Sequence, residues 1–510
     1  MGSIGSTPRQ ELHPSELTPE VVRQSTSFRV GTPAACRRCW PSDHLDAKYT
    51  VVPCSDVCCG VRSFPDTRAA GELAPMLAVR IITGSVRADP DGNRARIADR
   101  AHLDGGGPIA KAATRDHVRK EMSLLSLILS SDSHVFEPPD LWQTRIDAPF
   151  RDRAPRIQRI DGTDQIVVEA DQILSGIGLI SNAGARFEAP ETISAEGRFE
   201  DVHHGGYDPE QHLKDMVLDG VAGEVVYPSQ GLFYFKVADT PLMSAIFRAY
   251  NDWLADFCRT DPARLKGIAM INLDDVADGI KELERAARLG LAGAMIAEYP
   301  LEHRRYDQSE YEPFWAAAAA LDLPLSLHTA TRRQGKIRGA GDKTLHDASS
   351  RATKAFYPAL SMCDLIFSGV FERHPRLILA IVEFELAWVP HVLSTMDYTY
   401  RERQGEAIYR FKDGLLPSDF FRRNVVLSFQ EDAIGIRLRD AIGVDNMMWG
   451  SDYPHSESTF PQSRKILAEI LAGVPDDEQA KIVGGNTARV YNFDVTRLTD
   501  QQLNLRAEAK

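Results

Sequence analysis

The sequence predicts an α/β protein whose main body is a (β/α)8 TIM barrel, and three observations predict it. Eight short apolar runs of strand length recur between residues 124 and 449. Each is bounded by turn or polar residues, as buried parallel strands are. One-sided helical patterns lie between the runs. Three of the runs deliver His or Asp at or just past their C-terminal ends, where barrel enzymes gather their reactive groups.

The strand runs are Leu124–Leu129, Gly223–Tyr227, Gly267–Ile271, Gly293–Ile296, Leu323–Leu327, Leu377–Val382, Val425–Ser428 and Met447–Trp449. Asp208-Pro209 places a capping acid before a proline suited to a first helical turn, and so opens a helix over Glu210–Leu218. Val276–Leu289 carries Val276, Ile280, Leu283 and Ala287 as one apolar stripe. Tyr311–Leu321, Ala387–Met396 and Ser463–Leu471 also read as helices. A doubly wound sheet would carry a glycine-rich phosphate turn after its first strand, and none is present there. Two connections are long: about 70 residues follow the first strand, and about 20 follow His328. Loops of that length act as covers or binding elements, and both leave the reactive face of the barrel.

Residues 1–121 differ from the rest. Proline, arginine and small residues dominate, apolar periodicity is weak, and the local charge is about +3, against about −16 for the remainder. Such a composition cannot bury enough apolar surface to offset chain entropy, so an extension of low order is expected. Met122 directly precedes the first apolar run, and the residues before it are read as an upstream extension of the reading frame rather than part of the native protein. The barrel is expected over 122–495 and a tail over 496–510. Cys36, Cys39, Cys54 and Cys58 have a spacing that zinc can use, but the segment lacks the apolar residues a zinc knuckle packs around its ligands.

The 510 residues carry a net charge of −13. That balance argues against a nucleic-acid partner, which calls for a basic face. Apolar runs near Leu124–Leu129 and Ala316–Leu321 are far shorter than the ~20 residues of a membrane span. No charged-then-apolar leader opens the chain. A cytoplasmic protein acting on a small molecule is expected. Homo-oligomerisation fits the exposed helices of a barrel, although no feature specifies a dimer.

Asp132 and His134 stand two apart, so near a strand end both point to one side. His328 ends the fifth run, and Asp452 follows the eighth within Trp449-Gly-Ser-Asp-Tyr-Pro-His455. Two imidazoles and two carboxylates meeting over one barrel mouth are a ligand set for a divalent metal, Zn²⁺ first and Mn²⁺ second. Glu137 follows the first pair and either approaches the metal shell or turns the chain before Pro138-Pro139.

The stretch Asp132-Ser-His-Val-Phe-Glu-Pro-Pro-Asp-Leu-Trp142, the Leu-His pair at His328 and the Trp449–His455 cluster resemble the amidohydrolase-related family. That family holds metal-dependent TIM-barrel hydrolases and aminocarboxymuconate-semialdehyde decarboxylase-like enzymes. The similarity runs from about Leu124 to Phe493. It implies that Asp132, His134, His328 and Asp452 bind the metal, and that Asp452 also accepts a proton from metal-bound water. One position departs from the decarboxylating relatives: Glu383 stands at the end of the sixth run, where they usually carry His. A carboxylate there acts as a general base, or orients a ligand, or forms a salt bridge.

His455 is a helper that donates to substrate or stabilises its own loop. Arg332 and Arg333, followed by Lys336 and Arg338, attract a substrate carboxylate in the functional reading and are a solvated charge run in the plain one. His203-His204, His303, His346, His374 and His391 have no strand-end context. The leading expectation is a metal-dependent hydrolase of a small ester, amide, lactone or ring-cleavage product, with Asp452, Glu383 and His455 catalytic. The alternatives are a metal-dependent non-oxidative decarboxylase of an aromatic or semialdehyde acid, and an inert barrel used for binding.

Overall fold

The computed structural model describes residues 127–333 and 348–508. The expectations for the extension over 1–121, its cysteines, the start at Met122 and the cations Lys336 and Arg338 lie outside the described residues.

Among the described residues, eight parallel strands form one sheet. Its members are β1 (Leu129–Val135), β5 (Gly223–Pro228), β6 (Leu265–Met270), β7 (Gly293–Ile296), β8 (Leu325–His328), β9 (Leu379–Val382), β10 (Val425–Phe429) and β11 (Met447–Trp449), paired in that order. The edges meet at the C-terminal end. There the Asp452 N–H donates to the Asp132 carbonyl at 2.8 Å, and the His134 N–H donates to the Tyr453 carbonyl. The Ser131 hydroxyl adds a bond to the Trp449 carbonyl at 3.0 Å. The predicted barrel is the observed architecture.

Seven of the eight strands fall within two residues of their predicted starts, and β1 does not. The apolar run suggested a strand ending at Leu129; the observed one begins there and runs through Ser-Ser-Asp-Ser-His. Buried serines are tolerable because the barrel satisfies them. Ser131 meets Ser428 at 2.7 Å, Ser133 meets Ser451 at 3.0 Å, and Ser130 accepts from the Ser451 N–H at 2.9 Å. Between Ser130 and Ser133 the pairing with β5 shifts by one residue, a bulge that re-aims Asp132.

The helices follow their caps. In Pro209–Asp219 the Asp208 carboxylate accepts from the Glu210 and Gln211 N–H groups, and Gly220 ends the helix at φ +79°. Val276–Leu289 is capped by Asp275 and closed by Gly290. The helix Thr240–Cys258 carried no predicted stripe because most of its faces are buried. Most of the expected tail is helical: Val495–Glu508 is a helix, and its Leu498 is buried.

The long connection after β1 contains an antiparallel sheet of β2 (Arg156–Ile160), β3 (Thr163–Val168) and β4 (Gln172–Gly176), followed by short helical turns. It docks over the loop that leaves β11. The Ser456 N–H donates to the Leu179 carbonyl at 2.9 Å, its hydroxyl to the Gly178 carbonyl at 2.8 Å, and Arg186 to the Glu457 carbonyl at 2.8 Å. Among the described residues, no helix is long and apolar enough to cross a membrane.

Candidate metal centre and active site

Asp132 lies in the bulge of β1 and His134 just past it, His328 ends β8, and Asp452 follows β11. All four are buried. Two interlocking trios result: Asp132, His134 and His328, and His134, Asp452 and His455, the ligand atoms of each within 4.8 Å of one another. His134 Nε2 lies 3.3 Å from Asp132 Oδ1 and 3.2 Å from Asp452 Oδ1. His328 Nε2 lies 3.3 Å from the same Asp132 oxygen.

The outer nitrogens set the tautomers. His134 Nδ1 donates to the Pro228 carbonyl at 2.9 Å, and His328 Nδ1 to the Thr329 carbonyl at 3.2 Å. A carbonyl only accepts, so each Nδ1 carries hydrogen and each Nε2 is the atom turned to the centre. His134 Nε2 and Asp452 Oδ1 are nevertheless buried without a well-directed hydrogen bond, although charged or polar neighbours lie within 2.8–3.3 Å. Two such atoms side by side are costly unless something satisfies both. A divalent cation does so, and a set of two imidazoles and two carboxylates suits one.

The electrostatics agree. Burial opposes the ionised form of Asp132, yet His328 and His134 hold its carboxyl below the usual range. Asp452 is likewise held low against burial, by His455 and His134. Burial also opposes charge on His134, but Asp132 and Asp452 outweigh it and drive its pKa well above the ordinary value. The two carboxylates thus call for a positive charge at the centre, which a proton or a metal ion supplies.

His455 is closer to the centre than its position in the sequence suggested. Its ring stacks on His134 with centroids 3.9 Å apart. Its Nδ1 lies 2.8 Å from Asp452 Oδ1, and its Nε2 lies 2.9 Å from the Ser229 hydroxyl. Burial lowers its pKa, partly offset by Asp452.

Glu383 follows β9 at φ +66°, and Asp452 has φ +60°. Positive φ at non-glycine residues is uncommon and gathers at functional sites. Glu383 Oε2 lies 3.8 Å from His328 Nδ1, with a fifth of the side chain (20%) exposed, and it belongs to neither trio. Burial, then the charge of Asp452, raise its pKa well above the carboxylate range, and Lys354 opposes them. Lys354 Nζ lies 3.9 Å from Glu385, two residues further along.

The structure does not bring the predicted arginines to this centre. Arg333 is 7% exposed, is doubly paired with Asp274 and donates to the Phe235 and Val237 carbonyls. Its guanidinium is fully committed, which corrects its expected role in substrate binding. The Arg332 guanidinium lies over the Tyr357 ring, 4.3 Å from its centroid. Glu137 is not a ligand either: its carboxylate accepts from the Gln230 and Gly231 N–H groups at 2.9 and 2.8 Å. Burial still pushes its pKa up to about 7 against those bonds.

Sequence reading missed Ser229, Tyr227 and Lys354. Ser229 follows β5 directly, a polar residue after an apolar run, and that signal was available. The Tyr227 ring lies 5.0 Å from that of His328 inside a strand that reads as plain core.

A family model described as amidohydrolase matches residues 201–493. The gamma-resorcylate decarboxylase of Polaromonas sp. is 26% identical over 277 residues, 51% of this chain and 79% of that protein. The crystal structure of an amidohydrolase from Mycobacterium avium subsp. paratuberculosis aligns with a TM-score of 0.60 at 20% identity, over 72% of this chain and 99% of the other. That of 5-carboxyvanillate decarboxylase from Novosphingobium aromaticivorans, with bound manganese, aligns with a TM-score of 0.51 at 17% identity, over 72% and 97%.

Proposed function

The chain belongs to the amidohydrolase family, and on that premise we propose that it is a divalent-metal-dependent, non-oxidative decarboxylase of an aromatic or semialdehyde acid. The hydrolase expected from sequence is corrected by its relatives: the curated protein matched over half of the chain is a decarboxylase. The observation that carries the metal reading is the facing pair of orphaned atoms, His134 Nε2 and Asp452 Oδ1. Asp132, His134, His328 and Asp452 would hold the ion, with His455 stacked beside them. Manganese and zinc both suit this donor set.

When bound, the ion supplies positive charge that draws electron density from the substrate's acid group and its neighbouring oxygen. The chain's residues do the rest. Decarboxylation breaks the bond between carbon and the carboxylate, leaves the electron pair on carbon and releases carbon dioxide. The carbon then needs a proton. Glu383 is placed to hold it on Oε2, since it stands at the strand-end face outside both trios and its partial exposure allows reprotonation from solvent. A protonated Glu383 also removes the repulsion that a carboxylate would exert on an anionic substrate. Lys354, whose Nζ lies 3.9 Å from Glu385, adds attraction for that anion. His455, between Asp452 and the Ser229 hydroxyl, orients the Asp452 carboxylate.

Purified protein loaded with manganese or zinc, given a panel of hydroxybenzoates and related acids, is expected to release carbon dioxide. The same preparation given esters and lactones is expected to be inert. Ester or lactone turnover without carbon dioxide release from any acid would refute the reading.

A further inference from the structure

His203, Gly205 and Gly206 pack against Asp215 and against Tyr453 and Pro454, the residues next to Asp452. The helix Pro209–Asp219 presents His212 and Asp215 as buried polar groups. Asp215 Oδ2 accepts from the Tyr453 hydroxyl at 2.6 Å and lies 2.8 Å from His203 Nε2, while Oδ1 accepts from Gln211 at 2.8 Å. His212 lies 2.7 Å from the Gly205 carbonyl through Nδ1 and 2.6 Å from Glu224 through Nε2. Gly205 is required by this packing, because a Cβ there would overlap the Tyr453 hydroxyl and the Asp215 carboxylate.

Tyr453 directly follows Asp452. The Asp452 backbone holds a positive φ, a conformation that persists only where its surroundings over-determine it. Its N–H is tied to Asp132, and the Tyr453 carbonyl is tied to the His134 N–H, so both peptide groups are anchored to β1. The side-chain anchor is the Tyr453 hydroxyl on Asp215. The Tyr453 ring is also packed edge-on against His212 and Phe460, with centroids 5.0 Å away in each case.

We propose that Asp215 and Tyr453 form a latch that positions Asp452, so that the insertion ending in His203–Gly206 and the helix behind it set the geometry of the metal centre. Both are positioning residues, and neither touches the ion. The inference rests on the metal site proposed above but not on the reaction it performs. Partners that orient ligands typically change metal affinity or activity by about 10–100-fold when removed.

The test uses the full chain. Tyr453→Phe removes the hydroxyl and keeps the ring, and Asp215→Asn weakens the acceptor. Manganese and zinc affinities are measured by chelator competition, alongside kcat, KM and thermal midpoint. Arg285→Ala, which cuts an ion-paired cluster between two outer helices, serves as a destabilised control. The latch predicts metal affinity lowered by about 10-fold or more in both latch variants, kcat lowered with KM little changed, and wild-type affinity in the control. Latch variants with wild-type affinity, or a control that loses affinity in proportion to its thermal midpoint, overturn the latch. A wild-type protein that binds neither ion overturns the metal site itself, a separate result.

Discussion

The backbone N–H of Asp452 donates to the carbonyl of Asp132 at 2.8 Å. One hydrogen bond therefore joins two candidate ligands that lie at opposite ends of the barrel sequence. The junction has no spare room. A Cβ on Gly450 would stand 2.5 Å from the Cβ of Asp132 and 2.9 Å from the Ser428 hydroxyl.

Gly450→Ala is accordingly expected to push Asp132 out of register with Asp452. Overpacking of this kind costs about 1–3 kcal/mol. The variant should melt earlier and bind less metal per chain, read by calorimetry and elemental analysis. A normal metal content would show that the two carboxylates do not act as one unit.

Glu383→Gln keeps the shape of the side chain and removes its transferable proton. Turnover should fall by about 10²–10⁴-fold, the range for losing a positioned acid. Metal content should stay at the wild-type level, because Glu383 lies outside both trios. Loss of metal together with activity would instead place Glu383 among the ligands.

Arg333→Ala leaves the partly buried Asp274 carboxylate without its cation, with the Thr240 hydroxyl still donating to it. Breaking one side of a fully buried ion pair costs about 3–5 kcal/mol, and this partly buried pair, with Thr240 retained, should cost less than that. Denaturant unfolding should show that loss, while KM for the substrate stays close to wild type. A raised KM with unchanged stability would return Arg333 to the role read from sequence.

Glu298 lies two residues past β7, and burial raises its pKa from 4.5 to about 7 against the charges of Lys236 and Arg332. The folded state keeps this proton longer than the unfolded one. The contribution is thus fully present below about pH 4.5 and is lost as pH rises through about 7. Glu298→Gln cannot lose a proton. Thermal midpoints of the two proteins should converge near pH 4.5, and the wild type should fall behind the variant as pH approaches 7. A constant difference across that window would show that Glu298 is ionised throughout.

The four ligand-type residues were legible because barrel strands end where their chemistry begins. An apolar run closed by His328 or followed by Asp452 needs no neighbour to announce itself. Glu383 was legible as a position but not as a role, because its state depends on burial and on Asp452. Arg333 misled for the opposite reason: a charged loop residue reads as solvated or substrate-facing until Asp274 is seen beside it.

By itself the sequence determined the barrel, most strand and helix positions, and the four candidate ligands at the strand ends, since periodicity, caps and strand-end residues are local properties. Only the tertiary structure decided where β1 lies, because its serines are acceptable in a core solely through partners such as Ser428 and Ser451. The same is true of His455 stacked on His134 and of Asp215 behind Tyr453. Hydrogen bonds and charges between residues hundreds of positions apart leave no periodic trace in the chain.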